Sequence, residues 1–135
     1  MTAPAWTATI RLAASDVLNE TDRRHWTRKS PLVRTIRQIA HQTAVVTRAP
    51  HLQRARLAVT LAYPDRKRRD RHNYTPTIKP IVDGLIDAGV LPDDDDTHLE
   101  GPVLKVADET TTRRMGQRVY EFHLALYPLP ERTAS

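Results

Sequence analysis

Residues 5–12 alternate between apolar and polar positions, with Trp6, Ala8, Ile10 and Leu12 on one side and Thr7, Thr9 and Arg11 on the other. That two-residue period predicts a strand with one buried face. Residues 54–63 repeat it, placing Ala55, Leu57, Val59, Leu61 and Tyr63 together. This is the longest and cleanest alternation in the chain, which predicts a strand in the middle of the sheet. A shorter, imperfect strand is expected over 99–107, interrupted by Gly101 and Pro102. A last one runs over 118–127, where Tyr120, Phe122, Leu124 and Leu126 alternate with Glu121, His123 and Ala125.

Two stretches carry helical spacing instead. Ser30 followed by Pro31 suits an N-cap with proline at the first helical position. Leu32, Val33, Ile36, Ile39, Ala40 and Thr43 then share a face, with Arg34, Arg37, His41 and Arg48 around the rest, and Pro50 predicts an end by Ala49. A second helix is expected from near Thr75-Pro76, with Ile78, Ile81, Val82, Leu85 and Ile86 inward and Gly89 as its stop. Lys79, Asp83 and Asp87 recur every four residues on its opposite stripe. Pro80 predicts a short or kinked first turn. The order strand, helix, strand, helix, strand, strand predicts an α+β fold: one small mixed sheet of about four strands with two main helices on one face.

The chain has 135 residues, the size of one domain, with a core over about 5–127 and a frayed tail from 131 to 135. No apolar run approaches the roughly 20 residues that span a bilayer, so no membrane segment is expected. The opening MTAPAWTATIRL lacks a basic start followed by an apolar core, so no secretory signal is expected either. Without cysteine, disulfides and thiolate metal sites are excluded, and any metal must sit on Asp, Glu or His. A cytoplasmic setting is compatible with this and is expected.

Charge sharpens the picture. The net charge is +5, with 17 Arg against 4 Lys, a balance that favours a polyanionic partner. Arginine grips phosphate as a fork, where lysine acts as a point charge. The plainer explanation is a codon bias toward arginine. Within the polar loop 15–29, Trp26 sits among Arg23, Arg24, His25, Arg28 and Lys29. Such interleaving suits phosphates and unstacked bases; alternatively, Trp26 folds back on the core.

The densest chemistry lies between residues 64 and 96. A basic run, Arg66, Lys67, Arg68 and Arg69, ends on Asp70 and continues with Arg71, His72 and Asn73. After the second helix come four aspartates, Asp93 to Asp96. Carboxylates bind hard divalent cations and arginines hold phosphates, so a site for a polyanion and a cation needs both. Asp70 and one or two of the four aspartates would supply the ligands if the acidic run turned back along the helix. Otherwise the aspartates are solvated loop residues.

The pattern RRDxxN, then Lys79 and Asp83 four apart, then DGLIDAGVLPDD, resembles the RusA family of Holliday junction resolvases, and the loop NETDRRHW followed by a basic helix also resembles the actinobacterial and phage branch of that family. The resemblance covers roughly residues 5–127 and is strongest over 68–96. It implies a homodimeric, magnesium-dependent endodeoxyribonuclease that resolves four-way DNA junctions by symmetric nicks, in recombination and repair near the nucleoid. It matches Asp70 and Asp94 to metal-binding catalytic aspartates and Lys79 to an essential lysine; Asp93 and Asp83 match nearby acidic positions. Two departures stand out. His72 occupies the place of a second aspartate, which leans metal choice toward manganese, and three additional residues separate Asn73 from Lys79. The expected metal set is Asp70, His72, Asp93 and Asp94. The expected DNA contacts are Arg23, Arg24, Trp26, Arg28, Lys29, Arg66, Lys67, Arg68, Arg69 and Arg71. Two alternatives stay open: a nuclease for other branched DNA, and a junction-binding protein that does not cleave.

Overall fold

A computed structural model of the chain describes residues 3–131. Of the expected tail only Glu131 falls within it; residues 132–135 lie outside the described residues. The strands are β1 (Trp6–Ala13), β2 (Ala55–Ala62), β3 (Leu99–Val106) and β4 (Val119–Pro128), and the helices are α1 (Trp26–Val46) and α2 (Thr75–Asp87). They form one mixed sheet in the order β1-β4-β2-β3, with β4 antiparallel to β1 and β2, and β3 parallel to β2.

The alternation read from the chain becomes rows across the sheet. Ile10 lies opposite Phe122, which lies opposite Leu61; Ala8, Leu124 and Val59 form the next row, and Trp6, Leu126 and Leu57 the third. Except for the partly buried Ala8, these side chains are buried and join Ile36, Ala40, Ile78, Ile81 and Leu85 of the helices in one core. Both helices therefore cover the apolar face. The other face carries Thr7, Arg11, His123 and Arg56 and stays open or half-open. β2 is interior, as expected, and mostly buried along its length. The longest strand, however, is β4, with 10 residues. It pairs along both edges, which sustains a longer strand than alternation alone indicates.

The first helix begins at Trp26, a full turn before Ser30. Its cap is His25, whose Nδ1 accepts from the Thr27 N–H at 3.2 Å. The N–H groups of Arg28 and Lys29 bond the His25 carbonyl, so the first turn closes before Pro31 is reached. Pro31 then removes one helical bond, to Thr27, rather than starting the helix. The second helix begins at Thr75, as expected, after a 3-10 turn over Arg71–Tyr74. Pro80 sits inside it without ending it, its ring buried in the core. Gly89 closes the helix at φ +80°, a conformation that costs a side chain, while the N–H groups of Gly89 and Val90 bond Ile86 and Leu85. Gly101 and Pro102 do not break β3; they mark a register shift against β2.

The helices meet at Gly84. A Cβ there would lie 2.3 Å from the Arg37 carbonyl oxygen and 2.7 Å from the Ala40 Cβ. At the far end of α2, Asp87 accepts two bonds from Arg37, at 2.6 and 2.8 Å. Gly84→Ala should destabilise the fold by about 1–3 kcal/mol through overpacking, measured by urea unfolding. An unchanged midpoint would mean the helices separate more easily than this contact indicates.

Candidate functional site

The β2-α2-β3 unit is a parallel crossover, and crevices in such units open at the carboxyl ends of the strands. The basic run leaves the carboxyl end of β2, beside the end of β3 at Val106. There Arg68, Arg69, Asp70, Arg71, Asn73 and Val106 line a cavity of about 550 Å³. Asp70 is exposed at its lip and caps the 3-10 turn, with Oδ1 accepting from the His72 N–H at 2.9 Å. Among the described residues its second carboxylate oxygen has no partner. Asn73 is held by its backbone, its carbonyl accepting from the Glu20 N–H at 2.7 Å.

The basic run is not uniform. Arg69 donates to Asp65 at 2.6 Å, and its guanidinium lies 5.2 Å from the Tyr63 ring centre and 5.7 Å from that of Tyr120. Beneath it Tyr74 and Tyr120 share a hydrogen bond of 3.1 Å. Burial raises the Tyr63 and Tyr74 hydroxyls above the usual tyrosine range. Asp65 also takes a bond from Arg118 and accepts from the Lys67 N–H at 2.9 Å. The bond from Arg69 chiefly holds its carboxyl well below the ordinary range. Sequence reasoning missed Asp65 and the tyrosines. The one local signal was Asp65 standing four residues before Arg69.

The acidic run does turn back along α2. Lys79 donates to Asp94 at 2.6 Å and to Asp83 at 2.9 Å. From Asp87 back to Lys79 is eight residues, about 12 Å along the axis, which leaves about 6 Å to the helix start. The bond to Asp94, and secondly that to Asp83, raises the Lys79 ammonium above its usual value. The same contact lowers Asp94. The other aspartates divide between structure and solvent. Asp93 accepts from the Asp94 N–H at 2.7 Å, and Asp95 caps Thr97 and His98 at 3.1 and 3.2 Å. Asp96 is exposed.

The remaining expected site residues fall into two groups. Arg24 is spent inside the fold, on the Asp22 carboxylate and on the carbonyls of Ser15 and Val17. Lys29 donates to the Asp22 carbonyl at 2.6 Å. Arg66 reaches the Asp108 carbonyl at 3.3 Å. Arg23, Arg28, Lys67, Arg68, Arg71 and His72 are exposed. Trp26 is 65% exposed at the head of α1, so it does not plug the core.

Asp70, Asp93 and Asp94 offer the hard oxygens that magnesium and manganese take, and His72 offers a nitrogen. Yet among the described residues no three such groups converge on one point. The expected four-ligand set is therefore not assembled: Asp94 is engaged by Lys79, and Asp70 stands at the head of the 3-10 turn. The donor chemistry fits a divalent ion; the ligand count does not. No protein-family model matches the chain, and no curated protein matches it.

Two outcomes follow from these contacts. Arg69→Met should lower the urea midpoint, and Arg69→Lys should recover only part of it, because an ammonium cannot lie flat on two rings. If either change left stability untouched, Arg69 would be a surface charge after all. For Asp22, the bond from Arg24 holds the carboxyl at about 2, against an ordinary 3.8. Its folded value is depressed, so its stabilisation is complete above 3.8 and is lost as pH falls through about 2. The Tm difference between wild type and Asp22→Asn should accordingly be constant near neutrality and shrink between pH 4 and 2; a gap that persisted would contradict this.

Proposed function

We propose that the chain is a metal-dependent endodeoxyribonuclease that resolves four-way DNA junctions by paired symmetric nicks, in recombination and repair, as its resemblance to the RusA family implies. One observation carries the reading. Lys79 and Asp94, 15 residues apart and both named by that resemblance as catalytic, are in direct contact on the outer face of α2. The helix that carries Lys79 starts next to the basic crevice that holds Asp70.

In this reading Asp70, His72, Asp93 and Asp94 are the residues that would hold magnesium or manganese. The ion would neutralise the non-bridging oxygens and lower the pKa of a bound water. The chain's own cations handle the DNA. Arg68 and Arg71 grip phosphates at the crevice, Arg23, Arg28 and Lys67 extend the basic surface, and Trp26 offers a stacking face. Lys79 serves the scissile phosphate. A two-fold junction calls for two copies of the chain, each cutting one strand. No described helix is long and apolar enough to cross a membrane, and the substrate places the work at the nucleoid.

A second reading is favoured by the unassembled ligand set: a protein that binds junctions without cutting them. Cleavage assays separate the two. With magnesium or manganese, a four-way junction should be nicked in preference to a flap or a linear duplex. Asp70→Asn and Asp94→Asn should reduce nicking to background and leave junction binding equal or tighter, because less negative charge faces the phosphates. His72→Asp should shift metal preference toward magnesium. Preference for the linear duplex would remove the resolvase reading, and metal-independent binding with no product would favour the non-cleaving one.

A further inference from the structure

We propose that the turn from Arg114 to Gln117 is a wedge: Met115 inserts between base steps at a branch point of DNA, and the arginines beside it hold the flanking phosphates. The inference rests on the reading of the chain as a protein of branched DNA, cutting or not, and specifies how a branch is told from a duplex.

The turn breaks a local rule. Arg114 and Gln117 exchange two backbone bonds of 2.9 Å, so Met115 and Gly116 alone make the loop. Both lie at positive φ, +50° and +77°. That is the two-residue hairpin turn whose first position favours asparagine, aspartate or glycine, and a methionine there is strained. The fold gains nothing in return. Met115 is fully exposed, and a Cβ on Gly116 would meet no atom within 4 Å. Strain held without a packing gain points to a contact made outside the chain.

The tip is carried on a stiff stem. The Thr111 N–H donates to the Tyr63 carbonyl at 2.9 Å, and its hydroxyl donates across to the Val119 carbonyl at 2.6 Å. On the return leg the Arg118 carbonyl accepts from the Ala14 N–H at 2.9 Å, while its guanidinium binds Asp65. Arg113 braces the turn by donating to the Gly116 carbonyl at 3.0 Å. From Thr111 to Met115 the leg reaches about 13 Å when extended. The stem also adjoins the basic run: Thr111, Arg113 and Arg118 share a cavity of about 310 Å³ with Pro64, Asp65 and Lys67.

Charge identifies the partner. Residues 111–118 hold Arg113, Arg114 and Arg118 and no carboxylate. An apolar tip flanked by arginines suits a polymer with an anionic backbone and flat apolar faces. Apolar side chains, methionine among them, serve as such wedges in DNA, at the cost of unstacking a base step. At a branch the stacking is already interrupted, so the same insertion costs less there than within a duplex.

The test measures binding to a four-way junction and to a linear duplex of equal length, by fluorescence anisotropy without divalent metal. The junction carries 2-aminopurine at the crossover, which brightens when unstacked. Wild type should prefer the junction and brighten the probe. Met115→Asn suits the turn better, so its Tm should rise. Its junction affinity should nonetheless fall about tenfold, the scale of one buried methionine side chain, with duplex affinity unchanged and the brightening lost. Met115→Leu keeps the apolar bulk and should behave as wild type. Junction preference and brightening retained by Met115→Asn would overturn the wedge and leave the branched-DNA reading in place. Equal loss on junction and duplex would also overturn it. A wild type that binds both DNAs alike would remove the wedge and the branched-DNA reading together. Selective loss in Met115→Asn, with no metal supporting cleavage by wild type, would keep the wedge and remove the nuclease.

Discussion

The rotation of α2 about its own axis fixes everything on its outer face. Thr77, fully buried, sets it: its hydroxyl donates to the Leu18 carbonyl at 2.6 Å and accepts the Leu18 N–H at 2.8 Å. One turn later Ile81 seals against the core, and Gly84 lets α1 approach to backbone contact. A helix pinned at three successive turns cannot roll. Lys79, Asp83 and Asp87 therefore face outward together; Lys79 and Asp87 find partners that the sequence holds far away, Asp94 and Arg37, while Asp83 pairs with Lys79 one turn before it.

Positive charge in this protein does two different jobs. Arg24 and Arg69 are building material. Each is bound to a carboxylate within four residues of it, and Arg69 also closes over two tyrosine rings. They hold the segments on which Arg23, Arg28, Arg68 and Arg71 stand exposed. Asp70 follows immediately on Arg69, so the position of the exposed carboxylate depends on the half-buried cation before it. Packing of that kind presents a functional group on a loop without leaving the loop loose.

Much of the fold was legible in the chain because its elements are strongly periodic. The inward residues of the second strand, from Ala55 to Leu61, and the α2 stripe from Ile78 to Leu85 went where their spacing placed them. The start of α1 was not legible. Proline after serine is a good start signal, but His25 supplied an earlier cap and the turn it opened needed nothing from Pro31. Within the site, the return of the acidic run toward Asp70 was readable as a requirement, and Asp94 comes back along α2 as far as Lys79. The identity of its partner was not, since whether lysine or a metal satisfies a carboxylate is decided by side-chain reach. Likewise, nothing in a run of four basic residues distinguishes Arg69 from Arg68. The difference lies in Tyr120, contributed by a strand that begins 50 residues later.

The account depends on one cation being shared between the two ends of the basic-to-acidic stretch. Paramagnetic broadening measures this directly. Manganese added to isotope-labelled protein bound to a junction with uncleavable linkages at the crossover should broaden the backbone amides of Asp70 to Asn73 and of Asp93 to Asp95 at the same metal concentration. Broadening confined to the acidic run, with the amides around Asp70 left sharp, would place the ion on one side only and contradict a common hydrolytic centre.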